Sequence, residues 1–466
     1  MTASATPLQT SRVMQIRNGL AFAAAIAFPF LLQPVSPIRN LTFWLPLASL
    51  GLVVLVWFSL HGLSALREAA TRRALIAAAL VVAALAVTRF LPALSLLPAR
   101  PPDPLLVAVA LTLLAGLGAL AARLSTAATR VLWLPVALLL VLFILLKAEV
   151  LAALISAGLR ALGAQDLAQA SASDVNWLGY SYLAFRLLAV LRDRMTGART
   201  LRPYGLAEFV VFALFTPAFL SGPIDRADRF LKDWRAPWRP NVADLGESAR
   251  RILIGLVKKL ALADTLALVA LNGDNALHAH GLWMWLLVYA YALRIYFDFG
   301  GYSDIAIGIG RALGVRLPEN FERPYLKPNL TQFWNSWHMS LSQWFRGYWF
   351  NPLTRALRLR DWQPMQIVAV GQASTMMLIA LWHGVTANFA LWGAWHAVGL
   401  FVHNRFADAL KARPQSGLLD PRWTKLRHLV GVLITFHFVA LGWVWFATPM
   451  PASALRVFGA LLGVTR

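Results

Sequence analysis

The sequence predicts an all-α polytopic membrane protein with about eleven transmembrane helices and one or two re-entrant or interfacial helices. Of the 466 residues, 59% are hydrophobic and only 14% are charged, far from the composition of a soluble domain. The hydrophobic residues form runs of about 20, the length that a helix needs to cross a bilayer. The basic residues, which give a net charge of +22, lie mostly between these runs.

The distribution of charge and the absence of cysteine exclude several function classes. The basic residues form no stripe with stacking aromatic residues, so we expect contact with the lipid bilayer and no nucleic acid partner. The chain contains no cysteine. Disulfides, thiolate metal ligands and an acyl-cysteine intermediate are therefore excluded.

Six apolar runs long enough to span a membrane precede residue 192. They lie near 19–36, 41–62, 74–98, 104–122, 130–158 and 175–191. Arginines precede the first run and follow the second, so the positive-inside rule predicts a cytoplasmic N-terminus. No small-residue cleavage pattern follows the first run, and we expect it to be retained.

The pattern becomes irregular in the middle of the chain. The run at 207–222 is short, contains Pro217 and has basic residues on both sides, which favours a re-entrant or tilted element. Residues 225–250 are polar and are interpreted as a cytoplasmic loop or interfacial helix. Later spans are predicted near 251–271, 281–299, 364–383, 388–404 and 428–447, and the last run, 452–464, is too short to cross.

Two of the later segments carry unusual polar residues. The glycine pair at 300–301 is expected to end a helix that holds Arg294 and Asp298, which are four residues apart and able to pair. Residues 330–350 are predicted to form a helix that Pro352 breaks, and they mix aromatic side chains with hydrogen-bonding ones. Such a segment either lies in the interface or borders a water-filled cavity.

His383 ends the run at 364–383, where the membrane should be dry. An ionisable residue inside a span indicates a functional site, although a hydrogen bond between helices is the alternative. A second histidine, His338, lies 45 residues upstream. The histidines lack the His-x-x-x-His spacing and a companion carboxylate, so no metal site is predicted.

Several stretches, in the same order along the chain, resemble the membrane-bound O-acyltransferase family. The resemblance is strongest to the bacterial branch that O-acetylates alginate or D-alanylates teichoic acid. The matching stretches are Phe215–Arg226, Tyr296–Asp304, Asn320–Tyr325, Phe333–Ser342, Leu381–Gly384, Leu391–Gly393 with His396, and Leu441–Phe446. Residues 1–170 match only in hydropathy, which divides the chain into N-terminal transmembrane helices and a catalytic core at 171–466.

The resemblance implies a helical bundle around a central funnel and a catalytic pair of histidines. His383, in its Trp-His-Gly context, is implied to be the principal catalytic residue, and His338 its partner. Supporting roles are expected for Asn335, His396, Asp298 and Trp382.

The chemistry that these residues suit is acyl transfer from a thioester to a hydroxyl. A neutral imidazole, which burial favours, is able to act as general base, and this role is assigned to His383. His338, with Asn335, would orient the donor or stabilise the oxyanion. A covalent acyl-serine or acyl-histidine route stays open, although no Gly-x-Ser-x-Gly elbow with an acidic partner stands out.

The expected donor is cytoplasmic acetyl-CoA, which basic residues on that side would attract. The expected acceptor is a cell-envelope or secreted polysaccharide beyond a bacterial inner membrane, reached with an extracytoplasmic acetyltransferase partner. The residues that bind the donor are not identified. One alternative is a D-alanyl transferase that uses an acyl carrier protein. The other is a non-enzymatic transporter or flippase, which the clustering of polar residues in the C-terminal half disfavours.

Overall fold

The computed structural model describes residues 7–125, 129–197, 203–238, 241–412 and 421–464, and all regular structure in these ranges is helical, as predicted. The α-helices are α1 (Pro7–Leu32), α2 (Leu41–His61), α3 (Ala69–Val87), α4 (Pro104–Ser125), α5 (Trp133–Lys147), α6 (Glu149–Leu162), α7 (Tyr180–Thr196), α8 (Leu206–Ala213), α9 (Ala227–Arg235), α10 (Val242–Leu256), α11 (Asp264–Ala267), α12 (Gly281–Ala312), α13 (Leu330–Ser336), α14 (Met339–Phe345), α15 (Asn351–Arg358), α16 (Pro364–His383), α17 (Ala387–Lys411), α18 (Thr424–Ala447) and α19 (Pro451–Leu461).

Within the described ranges, seven helical segments are long and apolar enough to cross a membrane, so the chain is a multi-pass membrane protein. They are Arg12–Leu32, Leu41–His61, Ala69–Phe90, Pro104–Leu124, Arg130–Lys147, Pro364–His383 and Thr424–Ala447. The predicted count of about eleven also includes the runs near 175–191, 251–271, 281–299 and 388–404. Helices α12 and α17 are long enough, at 32 and 25 residues, but both carry charged side chains.

The run at 130–158 was predicted as one span and is instead two helices, α5 and α6. They meet at Ala148, whose backbone is extended with φ −87° and ψ 112°. Lys147 lies in the last turn of α5 and Glu149 in the first turn of α6. Each charge therefore lies at the helix end whose dipole it complements, which stabilises a break at this point.

The predicted break at the glycine pair 300–301 is wrong, since α12 continues through it to Ala312. A Cβ built on Gly301 would lie 2.7 Å from the carbonyl oxygen of Gly255, and one built on Gly255 would lie 2.6 Å from the oxygen of Gly301. These glycines allow two helical backbones to touch, a requirement that a linear pattern does not distinguish from a helix end.

The helix predicted at 330–350 is also interrupted, and earlier than expected. It breaks at Trp337 and His338, between α13 and α14, and Pro352 lies in the first turn of α15, where proline is tolerated. Residues Arg346–Phe350 form a π-helical turn between α14 and α15.

The chain packs as two compact units, Met1–Ser248 with Ala306–Leu317, and Ala249–Ile305 with Pro318–Arg466. The predicted division near residue 170 rests on resemblance alone and stays a prediction. In the first unit, the fully buried Arg186 donates to the carbonyl oxygen of Ala213 at 2.8 Å and also to that of Ala218. This guanidinium satisfies carbonyl groups at the end of α8 and in the turn that follows, where the short 207–222 run stops being helical.

In the second unit, α16 and α17 form an antiparallel hairpin. A Cβ at Gly393 would lie 2.8 Å from Cβ of Ala380, so glycine lets the two helices approach closely. Asn388, at the start of α17, donates to the carbonyl oxygen of Thr448 at 2.6 Å. The turn that follows His383 is therefore tied to the residue after α18.

Candidate active site

His383 is the last residue of α16, is half-buried, and faces four aromatic rings. Its ring centroid lies 4.5 Å from that of Trp382, 4.8 Å from Phe446, 5.6 Å from Trp392 and 5.9 Å from Phe389. These rings come from α16, α17 and α18. A half-buried imidazole among aromatic faces is reachable by a substrate while its surroundings stay apolar.

His338 is 3% exposed and lies at the break between α13 and α14. Its φ of 42° and ψ of 52° are left-handed, a conformation that costs a non-glycine residue about 1–2 kcal/mol. The imidazole makes an edge contact with Phe299, with ring centroids 4.6 Å apart. The surrounding structure therefore has to hold this residue in place.

Trp382 lies against both histidines. Its ring centroid is 6.0 Å from that of His338 and 4.5 Å from that of His383. The structure thus brings three of the predicted site residues together around one indole, although only His383 is more than slightly exposed.

His396 is completely buried in a cage of aromatic rings. The nearest centroids belong to Trp392 at 5.0 Å and Trp334 at 5.2 Å. Neither ring nitrogen has a hydrogen-bond partner among the described residues. Because Trp392 also contacts His383, His396 lies next to the site and is separated from it by one indole.

The other two predicted residues, Asn335 and Asp298, pair with residues outside the group around Trp382. The exposed Asn335 accepts a hydrogen bond from Arg346. Asp298 pairs with Lys259 at 2.7 Å, so the pairing with Arg294 that the spacing allowed is wrong. The spacing favoured Arg294 because it considers one helix only, whereas the true partner belongs to another segment. The supporting roles of Asn335 and Asp298 stay predictions.

Sequence reasoning missed most of the aromatic residues that surround the histidines. Phe299, Phe389 and Trp392 are not predicted as site residues, although the stretches that contain Phe299, Trp392 and Phe446 carry the resemblance. The missing signal is three-dimensional, because these rings come from separate helices. Among the described residues, no three His, Cys, Asp or Glu side chains gather as metal ligands would.

An apolar cavity of about 420 Å³ lies in the first unit, against Arg17, Phe215 and Trp238. It contains none of the predicted site residues. The candidate site is therefore defined by the contacts around Trp382 and not by this cavity.

A model of the membrane-bound O-acyltransferase family matches residues 133–416. The chain is 33% identical over 278 residues to the teichoic acid D-alanyltransferase of Bacillus subtilis, an alignment that covers 59% of this chain and 69% of that protein. It is 33% identical over 291 residues to a probable alginate O-acetylase of Pseudomonas syringae, covering 61% of this chain and 51% of that protein. It is 30% identical over 269 residues to the peptidoglycan O-acetyltransferase of Helicobacter pylori, covering 56% and 48%.

Proposed function

The chain belongs to the membrane-bound O-acyltransferase family and is an acyltransferase, and from this premise we propose that it moves acetyl groups from acetyl-CoA for the O-acetylation of a cell-envelope or secreted polysaccharide. The proposal includes a cytoplasmic donor, a bacterial inner membrane with the N-terminus inside, and a separate extracytoplasmic partner that completes the transfer. Because the chain belongs to a family of acyltransferases, the hypothesis of a non-enzymatic transporter has no support.

The observation that carries the proposal is the contact of both His383 and His338 with the Trp382 ring. A half-buried imidazole at the end of a helix is suited to accept a proton from a hydroxyl that enters from outside the protein. A second, fully buried imidazole beside the same indole is suited to fix the geometry of the site.

The proposed reaction has two steps. His383 takes the proton of the acceptor hydroxyl as its oxygen attacks the thioester carbonyl carbon, which gives a tetrahedral oxyanion. The oxyanion collapses, the carbon–sulfur bond breaks, and the coenzyme A thiolate leaves and takes up the proton from His383. His338 acts on the donor or the oxyanion side, where stabilisation of the developing charge lowers the barrier.

A second candidate within the same family is transfer of a D-alanyl group from an acyl carrier protein. It is favoured by the alignment to the D-alanyltransferase, which covers 69% of that protein, against 51% for the alginate O-acetylase. The two candidates share the proton transfer at His383 and differ only in the donor.

The test is release of coenzyme A from labelled acetyl-CoA by the purified full chain in lipid vesicles, where water takes the place of the acceptor hydroxyl. We expect release by the wild type and a rate at least about 100-fold lower for His383→Ala, since general-base catalysis contributes about 10²–10⁴-fold. His437→Ala is the matched control, because this histidine is also in a spanning helix but bonds to Tyr289 at 2.9 Å. Its rate should stay within about threefold of the wild type.

One result tests the role of His383, and the other decides between the two donors. Equal release by the wild type and His383→Ala would refute the role of His383. A wild type that is inactive with acetyl-CoA but active with a carrier-linked D-alanyl thioester would replace the first candidate with the second.

A further inference from the structure

The His338 segment begins α14 with a residue that does not cap it. His338 occupies the N-cap position, but its side chain makes no capping hydrogen bond. The first amide groups of a helix have no partner within the helix and need one from elsewhere. In a buried segment, leaving them unsatisfied is costly.

Asn320, 18 residues upstream in the sequence and completely buried, supplies the missing acceptors. Its backbone oxygen accepts from the Met339 amide at 2.9 Å. Its side-chain Oδ1 accepts from the Ser340 hydroxyl at 2.6 Å and from the Ser340 amide at 3.3 Å. The two amides that directly follow His338 are thus both held by one residue.

Asn320 is itself anchored from the other side. Its Nδ2 donates to the hydroxyl of the buried Ser303 on α12 at 3.1 Å. Two residues further on, the Glu322 amide donates to the carbonyl oxygen of Ser336 at 3.0 Å. Hydrogen bonds with the loop that contains Asn320 therefore hold the chain both before and after the left-handed His338.

The neighbouring Glu319 makes a different contact. It pairs with Arg251, whose Nη1 lies 2.6 Å from Oε1 of Glu319, and this arginine also donates to Asp304 at 2.9 Å. This ion pair holds the same loop to α10 and, through Asp304, to α12, but it does not touch the residues that follow His338. It provides a control for loss of loop stability alone.

From these contacts we infer that Asn320 is a positioning residue that caps α14 in place of His338 and so fixes the His338 imidazole against Trp382. The inference rests on the proposed acyl transfer for its catalytic consequence. A misplacement of about 1 Å at a catalytic group costs about 100-fold in rate, and Asn320 sets the position of the backbone that carries His338.

The first arm of the test is kinetic and uses the full chain in vesicles. Asn320→Ala should lower kcat for coenzyme A release about 50- to 100-fold with KM unchanged. In a His338→Ala background the same substitution should have no further effect, because it acts through His338. Ser340→Ala, a milder variant in case Asn320→Ala unfolds, should lower kcat about fivefold, since it removes one hydrogen bond. Glu319→Gln should lower the thermal midpoint but leave kcat unchanged.

The second arm reads the position of His338 without any activity. Diethyl pyrocarbonate modifies accessible imidazoles, and mass spectrometry locates the adducts. We expect His338 to react several-fold faster in Asn320→Ala than in the wild type or in Glu319→Gln. His396, completely buried, should stay protected in all three proteins and reports on global unfolding.

The outcomes separate this inference from the proposed function. Two results would overturn the positioning role. One is a double variant, Asn320→Ala with His338→Ala, whose kcat is lower than that of His338→Ala alone. The other is a rate of His338 labelling in Asn320→Ala that equals the rate in the wild type. A His338→Ala protein with wild-type kcat would overturn the proposed role of His338. Faster labelling of His338 in Asn320→Ala would still support the inference that Asn320 holds the backbone at His338.

Discussion

Substitution of Gly384 by alanine tests whether packing around His383 controls the chemistry. A Cβ at this position would lie 2.7 Å from Cε2 and 2.9 Å from Cδ2 of Phe389. The glycine has an extended φ of 175°, so alanine brings no backbone strain. The effect is therefore a steric displacement of the Phe389 ring.

The size of the displacement follows from the structure. Ordinary contact begins at 3.4 Å, so the ring has to withdraw by about 0.7 Å from its present 2.7 Å. Phe389 stacks on His383 at an interplanar angle of 24° and also packs edge-on against Phe446 at 4.9 Å. A shift of this size passed to His383 should lower kcat about 10- to 100-fold. Stability should fall by about 1–2 kcal/mol, as expected for local overpacking.

Coenzyme A release and thermal unfolding of Gly384→Ala measure the two effects separately. Phe389→Leu removes the clashing ring atoms, so the double variant should recover most of the activity that Gly384→Ala loses. Gly246→Ala is the control, because nothing lies within 4 Å of a Cβ built there. Wild-type kcat in Gly384→Ala, or no recovery in the double variant, would refute the argument that a displaced Phe389 ring disturbs His383.

Three further predictions concern groups outside this contact. In the first unit, Arg160 and Asp174 form a buried pair at 2.9 Å, and Arg160→Ala should lower the free energy of unfolding by about 3 kcal/mol, measured by denaturation in detergent. Burial by itself raises the pKa of Asp174, but hydrogen bonds from Ser156, Arg160 and the Ser171 amide hold that pKa below its ordinary value of 3.8. The stability that this carboxylate contributes is present above pH 3.8 and is lost as the pH falls through the lower pKa of the folded state. In Asp174→Asn, the thermal midpoint should therefore change less with pH on the acid side. His396→Ala should lower stability by about 2–3 kcal/mol through the cavity it leaves, with kcat within about threefold; a large loss of kcat at unchanged stability would instead give His396 a chemical role.

The helical fold and His383 are the parts that the sequence predicts best. Long apolar runs have one stable solution in a bilayer, because only a helix or a closed barrel satisfies every backbone group there. His383 stands out because an imidazole at the end of such a run is costly to bury. Both conclusions need only local information. The helical fold is confirmed, and the role of His383 stays a prediction.

The features that were mispredicted depend on contacts between distant residues. Gly301 resembles a helix end in sequence but meets the backbone of Gly255. The break at His338 is held by hydrogen bonds between Asn320 and the residues that follow it, and Asp298 pairs with Lys259 instead of Arg294. In each case a partner from another segment overrides the local preference, which periodicity and spacing do not report.

The burial of the two histidines argues that their roles are unequal. His383 ends a helix, is half-buried, and is bordered by the faces and edges of aromatic rings, which exclude water. His338 is 3% exposed and contacts Trp382, and it has a backbone conformation that its neighbours have to maintain. A group that meets a substrate hydroxyl has to be within hydrogen-bond reach of it, whereas a group that sets geometry does not. The accessible imidazole is therefore the one suited to proton transfer, and the strained, buried one is suited to fix the geometry of the site.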